Sequence, residues 1–267
     1  MTFKEWLFGL IDNPWVPKHW GFLHILTLVI CILLIFGFYF LVKFIKNKEK
    51  TRNIIIITLG SLIAFFEVAS RIVYFIKRYH LHTPDMEGLN TLWIILPKPW
   101  CAISCWMLVA SIIIKKKFFY NYACLSALLC SVIFFAYPGV GFNYEHILWE
   151  NFYSIVTHAL LLTMSVTLLT LKFTEFKYKE FWKLAVCFVL TFAYGLLEIY
   201  VLKTNGVSIQ SDPMYFMPGG DIQQNILKIP YGLYITLYCV LIIIYVNVFY
   251  LIEDRKTVKQ FLKKEKI

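Results

Sequence analysis

Residues 91–106 read TLWIILPKPWCAISCW, an apolar stretch that two prolines interrupt. Pro97 and Pro99 enclose Lys98, and Cys101 and Cys105 follow one helical turn apart. A proline inside a membrane helix frees backbone carbonyls, which then need a partner from protein or from a water-filled cavity. A thiol directly after such a break is a candidate nucleophile, although free cysteines are also common as plain core residues. The stretch therefore predicts either a reactive site or a simple proline kink.

The whole chain has a membrane-protein composition. Of its 267 residues, 60% are hydrophobic and only 16% are charged, whereas soluble domains carry about 25% charged residues. Several apolar runs reach about 20 residues, the length that crosses roughly 30 Å of hydrocarbon. We predict an all-α bundle of seven transmembrane helices, with residues 1–267 as a single domain in the cell membrane. The predicted spans are 21–42, 54–76, 92–114, 118–137, 151–171, 181–202 and 230–251.

The basic residues indicate how the bundle is oriented. The connections at 43–53, 115–117 and 172–183 and the C-terminal tail carry 18 Lys and Arg residues, and the opposite connections carry seven. The positive-inside rule then places the N-terminus outside, with residues 1–19 as an interfacial lead, and residues 253–267 as a basic cytoplasmic tail. The net charge of +10 is thus a topology signal and an attraction to anionic inner-leaflet lipid, not a nucleic-acid footprint.

The cysteines do not predict a disulfide framework or a metal site. All seven lie in hydrophobic runs, and the sequence has no CxxC motif and no Cys/His zinc spacing. Nucleotide-binding motifs are also absent from the sequence. We therefore predict no cofactor.

Six residues that are unusual in lipid fall in the outer half of the predicted bilayer. At 1.5 Å per residue, Cys101 and His158 lie about 11–14 Å below the outer surface, and Glu67 lies near that depth. The full set is His24, Glu67, Arg71, Cys101, His158 and Glu198. Buried ionisable groups usually face the bundle interior, so this set predicts a functional site. Glu67 and Arg71 are spaced i,i+4 and can also pair simply to support each other.

Cys101 and His158 at matched depth suggest a thiol nucleophile with an imidazole base. At the level of the outer-leaflet acyl chains, such a dyad suits acyl transfer from a lipid ester. Backbone amides freed near the prolines, or the Lys98 ammonium, would stabilise the oxyanion. Cys105 is the alternative nucleophile, but it lies about 6 Å deeper.

Several short motifs together resemble a known family. In order they are HWGFLHILTL, FFEVASRIVYFI, LPKPWC, THALLLT and a later PMYF. This order resembles the YwaF-type integral membrane proteins, which are related to transmembrane protein 164, a cysteine-dependent phospholipid acyltransferase. The resemblance implies that Cys101 and His158 are the catalytic pair, and that His24, Glu67, Met214 and Tyr215 match lesser family positions. The chain departs from the family pattern at Pro99, Ala102 and Thr157, where the family has histidine, an acidic or small polar residue, and serine.

The sequence therefore predicts a membrane acyltransferase whose partner is a phospholipid acyl donor. Cys101 and His158 would be catalytic, and the supporting residues would be His24, Glu67, Arg71, Lys98, Glu198 and Tyr215. A small-solute transporter or binding subunit that uses the same polar cavity is the alternative. A structural or assembly role is the third reading, and the sequence does not indicate an oligomeric state.

Overall fold

A computed structural model describes residues 1–14, 16, 21–83, 91–97, 100–136, 141–142, 144–204 and 227–254. Within these residues the fold is all-helical. The helices are α1 Phe3–Phe8, α2 Phe22–Phe44, α3 Lys48–Ile76, α4 Thr91–Ile95, α5 Trp100–Ile114, α6 Lys117–Ala136, α7 Trp149–Thr170, α8 Phe181–Thr204 and α9 Tyr231–Glu253. A π-helical turn, Lys77–Leu81, extends α3, and a 3₁₀ turn, Tyr178–Glu180, precedes α8.

Six of these helices are long and apolar enough to cross a membrane, namely α2, α3, α6, α7, α8 and α9. The predicted span over 92–114 is not one continuous helix. The structure divides this segment into α4, which ends at Ile95, and α5, which begins at Trp100. The physical reason is that proline lacks an amide hydrogen and pushes the preceding residue out of the helical conformation. The charge pattern still predicts that the broken segment is the third span.

The other predicted spans agree with the observed helices to within a few residues, except at the start of α3. This helix begins at Lys48, six residues before the predicted boundary. The Asn47 side chain caps it by accepting a 3.1 Å hydrogen bond from the Lys50 amide. A capped, charged first turn extends the helix beyond its apolar run, because the cap satisfies an amide that the helix leaves without a partner.

Four helices form the centre of the bundle. The largest buried cluster joins α3, α5, α6 and α7 through Ile63, Leu108, Cys124 and Leu161. At Gly60 of α3 the absence of a side chain lets the α5 residue Ile112 approach closely. Helices α2 and α9 instead expose many large apolar side chains, as expected of helices that face lipid.

A second cluster connects α5 and α6 to α8 and α9. It is built on aromatic residues, with Trp100, Tyr122 and Phe188 buried at its centre. The Tyr122 hydroxyl is hydrogen-bonded to the Thr191 hydroxyl. The Tyr245 hydroxyl of α9 donates to the Leu125 carbonyl of α6 at 2.9 Å. These polar contacts position α8 and α9 beside the broken segment.

The N-terminal helix α1 packs against the start of α7. The Trp6 indole donates a 2.9 Å hydrogen bond to the Ile147 carbonyl, and its ring contacts Trp149. Nearby, Lys77 forms a 2.8 Å ion pair with Glu150. We call this end of the bundle the α1 end, and the opposite end, where α3 begins and α7 finishes, the basic end. The charge pattern predicts that the α1 end is outside and the basic end is cytoplasmic.

Candidate functional site

The break between α4 and α5 is held in place from several sides. The Pro97 carbonyl accepts a 3.5 Å hydrogen bond from the Tyr194 hydroxyl of α8. Trp100, the first residue of α5, donates a 2.8 Å hydrogen bond to the Ser126 hydroxyl of α6. Its ring also makes edge contacts with Phe188 and Phe192. Because Trp100 is fixed between α6 and α8, the position of its neighbour Cys101 is fixed as well.

Cys101 lies in the first turn of α5 and is partly exposed. The backbone N–H groups of Cys101 and Ala102 lie next to its sulfur. First-turn amides have no partner within their own helix, so they can stabilise a negative charge. Cys105 is only 1% exposed. Accessibility therefore favours Cys101 over Cys105 as a nucleophile.

A buried carboxylate lies beside these thiols. Glu67 of α3 is 1% exposed, and it accepts a 2.5 Å hydrogen bond from the Tyr153 hydroxyl of α7. Arg71 approaches its other oxygen at 3.4 Å, which confirms the i,i+4 pair that the sequence predicts. The side chains of Cys105 and Trp106 are adjacent to the same carboxylate, and Cys101 lies within its electrostatic range.

The polar set extends from Arg71 toward α8. Tyr194 interacts with both Arg71 and Glu198, and Glu198 is fully buried although the sequence places it near a span end. The structure thus brings Glu67, Arg71 and Glu198 to the same region as the proline break. Lys98 and Tyr215, which were also predicted to support the site, lie outside the described residues.

The two histidines lie together in a separate aromatic cluster. His158 stacks on Phe134 with ring centroids 3.8 Å apart, and His24 is buried against Phe142 and Phe135. The Nδ1 atom of His158 donates a 2.7 Å hydrogen bond to the Ser154 carbonyl. Since a carbonyl oxygen only accepts, Nε2 is the basic nitrogen of this ring.

The contacts of His158 and those of Cys101 therefore involve different residues. Cys101 packs with the central cluster and interacts with Glu67, whereas His158 contacts Phe134 and Ser154. A catalytic pairing of Cys101 with His158 stays a prediction. Among the described residues, the carboxylate of Glu67 interacts electrostatically with the Cys101 thiol, as do the thiols of Cys105 and Cys130.

Sequence reasoning missed Tyr153 and Tyr194, two neutral phenols that hold the site together. A charged side chain is unusual within an apolar run, whereas tyrosine is ordinary in such runs. One usable signal was spacing, because Tyr194 precedes Glu198 by four residues and so shares a helix face with it. Among the described residues, no three His, Cys, Asp or Glu side chains are grouped as metal ligands.

Comparison with known proteins identifies the family. The model of the TMEM164 family matches residues 16–252, which extend from before α2 almost to the end of α9. The chain belongs to the TMEM164 family. No curated protein and no solved structure matches it. Together with the apolar helices, membership of the TMEM164 family identifies a multi-pass membrane protein.

Proposed function

We propose that this TMEM164-family protein transfers an acyl chain from a phospholipid to a lipid or lipid-linked acceptor through a thioester on Cys101. One observation carries the proposal. A partly exposed thiol lies in the first turn of α5, directly after a proline break and next to the first-turn amides of Cys101 and Ala102. This arrangement combines a nucleophile with hydrogen-bond donors for the oxyanion that forms in acyl transfer.

The reaction has two balanced steps. The Cys101 sulfur attacks the ester carbonyl, a carbon–sulfur bond forms, and the ester carbon–oxygen bond breaks. The thiol proton leaves through a base and passes to the departing lysophospholipid hydroxyl. An acceptor hydroxyl then attacks the thioester, loses its proton to the base, and the thiol is restored.

Two residues are candidates for the base. Glu67 is near the thiol and buried, and it is held by Tyr153 and Arg71. His158 presents Nε2 as its basic nitrogen, and the family resemblance implies that it acts with Cys101. In either case the Glu67 carboxylate helps to position α5, the helix that carries Cys101, because it contacts the side chains of Cys105 and Trp106.

The test is a search for the thioester. The purified full-length protein is incubated with a phospholipid that carries a labelled acyl chain, and the protein adduct is treated with hydroxylamine, which cleaves thioesters. We expect a hydroxylamine-labile adduct that Cys101→Ala abolishes and that Cys105→Ala retains. If labelling is unchanged in Cys101→Ala, the proposal is wrong.

A second candidate function is binding or transport of a small solute, and the buried Glu67 and Glu198 with the partly exposed Arg71 favour it. Charged side chains within a span often mark a solute pathway. The two functions differ in their response to substitution. Transport predicts that Cys101→Ser retains activity while Glu67→Gln loses it, and acyl transfer predicts that Cys101→Ser loses the thioester.

A further inference from the structure

The basic end of the bundle contains a cavity of about 270 Å³ between α2, the start of α3 and the end of α7. Four of its eight lining residues are cationic and none is acidic. The lining residues are Tyr39, Val42, Lys43, Lys48, Arg52, Thr170, Leu171 and Lys172. We call this cavity the basic pocket. Its volume lies just below the range of about 300–1,000 Å³ that suits drug-sized ligands, so it fits a headgroup and not a whole lipid.

The positive charge in the basic pocket is not neutralised by the part of the chain that the structure describes. Among the described residues, none forms an ion pair with any of the four cations of the pocket. Glu49, the acidic residue next to Lys48 in sequence, lines a different groove with Asn47, Lys50 and Asn53. Concentrated charge without a counterion attracts an anion.

The Arg52 guanidinium is oriented by an aromatic ring and has a donor for such an anion. Its guanidinium lies over the Phe173 ring, 4.6 Å from the centroid. Its Nε atom is buried, and no hydrogen-bond acceptor among the described residues contacts it. A guanidinium stacked on an aromatic ring keeps its planar donors oriented, and those donors match phosphate oxygens.

Lys172 occupies a backbone position that would suit glycine better. The end of α7 is a Schellman motif, in which the Phe173 amide donates to the Leu168 carbonyl and the Lys172 amide to the Leu169 carbonyl. Lys172 adopts the left-handed conformation there, with φ of 59°. Glycine is the usual residue at this position because it adopts this conformation without strain. A lysine here instead places a fourth cation at the basic pocket.

The pocket also borders surface that faces lipid. Tyr39, Val42 and Leu171 supply apolar lining. Phe36 and Phe40 on the neighbouring surface of α2 are largely exposed. A ligand with an anionic head and apolar chains therefore matches both parts of this surface.

We propose that the basic pocket binds the phosphate headgroup of an anionic phospholipid in the leaflet at the basic end, with its acyl chains along α2. Basic pockets between membrane helices are suited to such headgroups, since each cation near an anionic surface contributes favourably. The site is separate from Cys101, which lies near the first turn of α5 at the far side of the central cluster. The proposal therefore does not rest on the proposed acyl transfer.

The experiment is a native mass spectrometry titration of the full-length protein in neutral detergent. Phosphatidylglycerol and phosphatidylcholine with identical oleoyl chains are compared. We expect phosphatidylglycerol to bind more tightly than phosphatidylcholine. The double variant Lys48→Gln/Arg52→Gln should weaken phosphatidylglycerol binding roughly tenfold or more and leave phosphatidylcholine binding unchanged, since each lost charge weakens the attraction.

Two further variants separate binding from folding. Lys172→Gly should melt at the same temperature or higher, because glycine relieves the left-handed backbone, and yet it should bind phosphatidylglycerol more weakly. The matched control Lys116→Gln/Lys179→Gln removes two exposed lysines from the same end of the bundle, outside the pocket. This control should bind phosphatidylglycerol like the unmodified protein.

Three results would overturn the proposal. The first is equal binding of the two lipids, and the second is an equal loss of phosphatidylglycerol affinity in the pocket variant and the control. The third is thermal stabilisation by inorganic phosphate alone that matches the stabilisation by phosphatidylglycerol, because this would assign the pocket to a soluble anion.

Discussion

The Tyr153 hydroxyl of α7 donates a 2.5 Å hydrogen bond to the Glu67 carboxylate of α3. This bond joins two central helices at the level of Cys105, and Arg71 supports the same carboxylate. A buried carboxylate is stable only when donors or cations replace the water it has lost. The Tyr153–Glu67 contact is therefore both a structural link and part of the environment of the thiols.

Replacing this tyrosine should destabilise the bundle. Tyr153→Phe removes a donor from a buried charged acceptor, so we expect the free energy of unfolding to fall by about 1.5–3 kcal/mol. The measurement is denaturant unfolding in mixed micelles. Tyr200→Phe is the matched control, because Tyr200 is 66% exposed. Equal effects of the two substitutions would contradict the role given to the Tyr153 hydroxyl.

The thiols should differ in their reactivity toward a membrane-permeant maleimide. Cys101 is partly exposed and Cys239 is exposed, whereas Cys105 and Cys124 are buried. We expect Cys101 and Cys239 to be labelled in the folded protein. Cys105 and Cys124 should react at least roughly tenfold more slowly, because the reagent reaches them only when the surrounding helices open locally. Peptide mapping by mass spectrometry measures each site. Faster labelling of Cys105 than of Cys101 would reverse the assignment of the nucleophile.

Gly60 should not tolerate alanine. A Cβ at this position would lie 2.1 Å from the Ile112 Cδ1 atom, so α3 and α5 must separate or Ile112 must leave its rotamer. We expect Gly60→Ala to lower the free energy of unfolding by about 1–3 kcal/mol. Gly37→Ala on α2 meets no atom within 4 Å and should be neutral or stabilising by up to about 1 kcal/mol.

A second substitution should rescue Gly60→Ala. Ile112→Val deletes the clashing Cδ1 atom, and the next atom, Cγ1, lies at 3.6 Å, which is an ordinary contact. Alone, this change should cost about 0.5–1.5 kcal/mol. The double variant should be more stable than the sum of the two single effects predicts. Strict additivity in a double-mutant cycle would show that the two residues do not contact each other.

The N-terminal helix should loosen at low pH. The Thr2 backbone amide, and then the Thr2 hydroxyl, hold the pKa of the Glu5 carboxyl below its usual value, through the capping box at the start of α1. Because the pKa is lower in the folded state, this stabilisation is present above the ordinary glutamate pKa, about 4.3. It is lost as the pH falls through the depressed folded pKa.

Hydrogen exchange of residues 3–8 measures this effect when the protein is compared with Glu5→Gln at each pH. The ratio of the two exchange rates removes the intrinsic pH dependence of amide exchange. We expect greater protection in the unmodified protein at pH 7, and convergence of the two proteins in acid. A ratio that does not vary with pH would contradict the role of the carboxylate.

The sequence predicted the helices wherever an apolar run alone decides the structure, as in α2, α6, α7 and α9. It also predicted the Glu67–Arg71 pair, because i,i+4 spacing determines which residues share a helix face. It predicted a disruption at Pro97 and Pro99 but not two separate helices, since the outcome depends on partners such as Tyr194, which supplies a donor to the freed carbonyl.

Which side chains of the site meet across different helices could not be predicted from the spacing of residues in the sequence. Counting residues gives the depth of a side chain, because a helix rises a fixed distance per residue. Depth placed Cys101 and His158 at one level, but the rotation and the neighbours of each helix determine which side chains meet. In the structure α7 presents Tyr153 to Glu67 and His158 to Phe134. These contacts depend on packing between helices that are distant in sequence.

The division of the third segment has a consequence for how the chain enters the membrane. At 1.5 Å per residue the 15 residues of α5 extend about 22 Å, which is shorter than the roughly 30 Å of hydrocarbon. During synthesis the Pro97 carbonyl, just before α5, and the Trp100 indole, at its start, would lack the partners that Tyr194 of α8 and Ser126 of α6 later supply. We therefore expect this segment to insert stably only after downstream helices have left the ribosome.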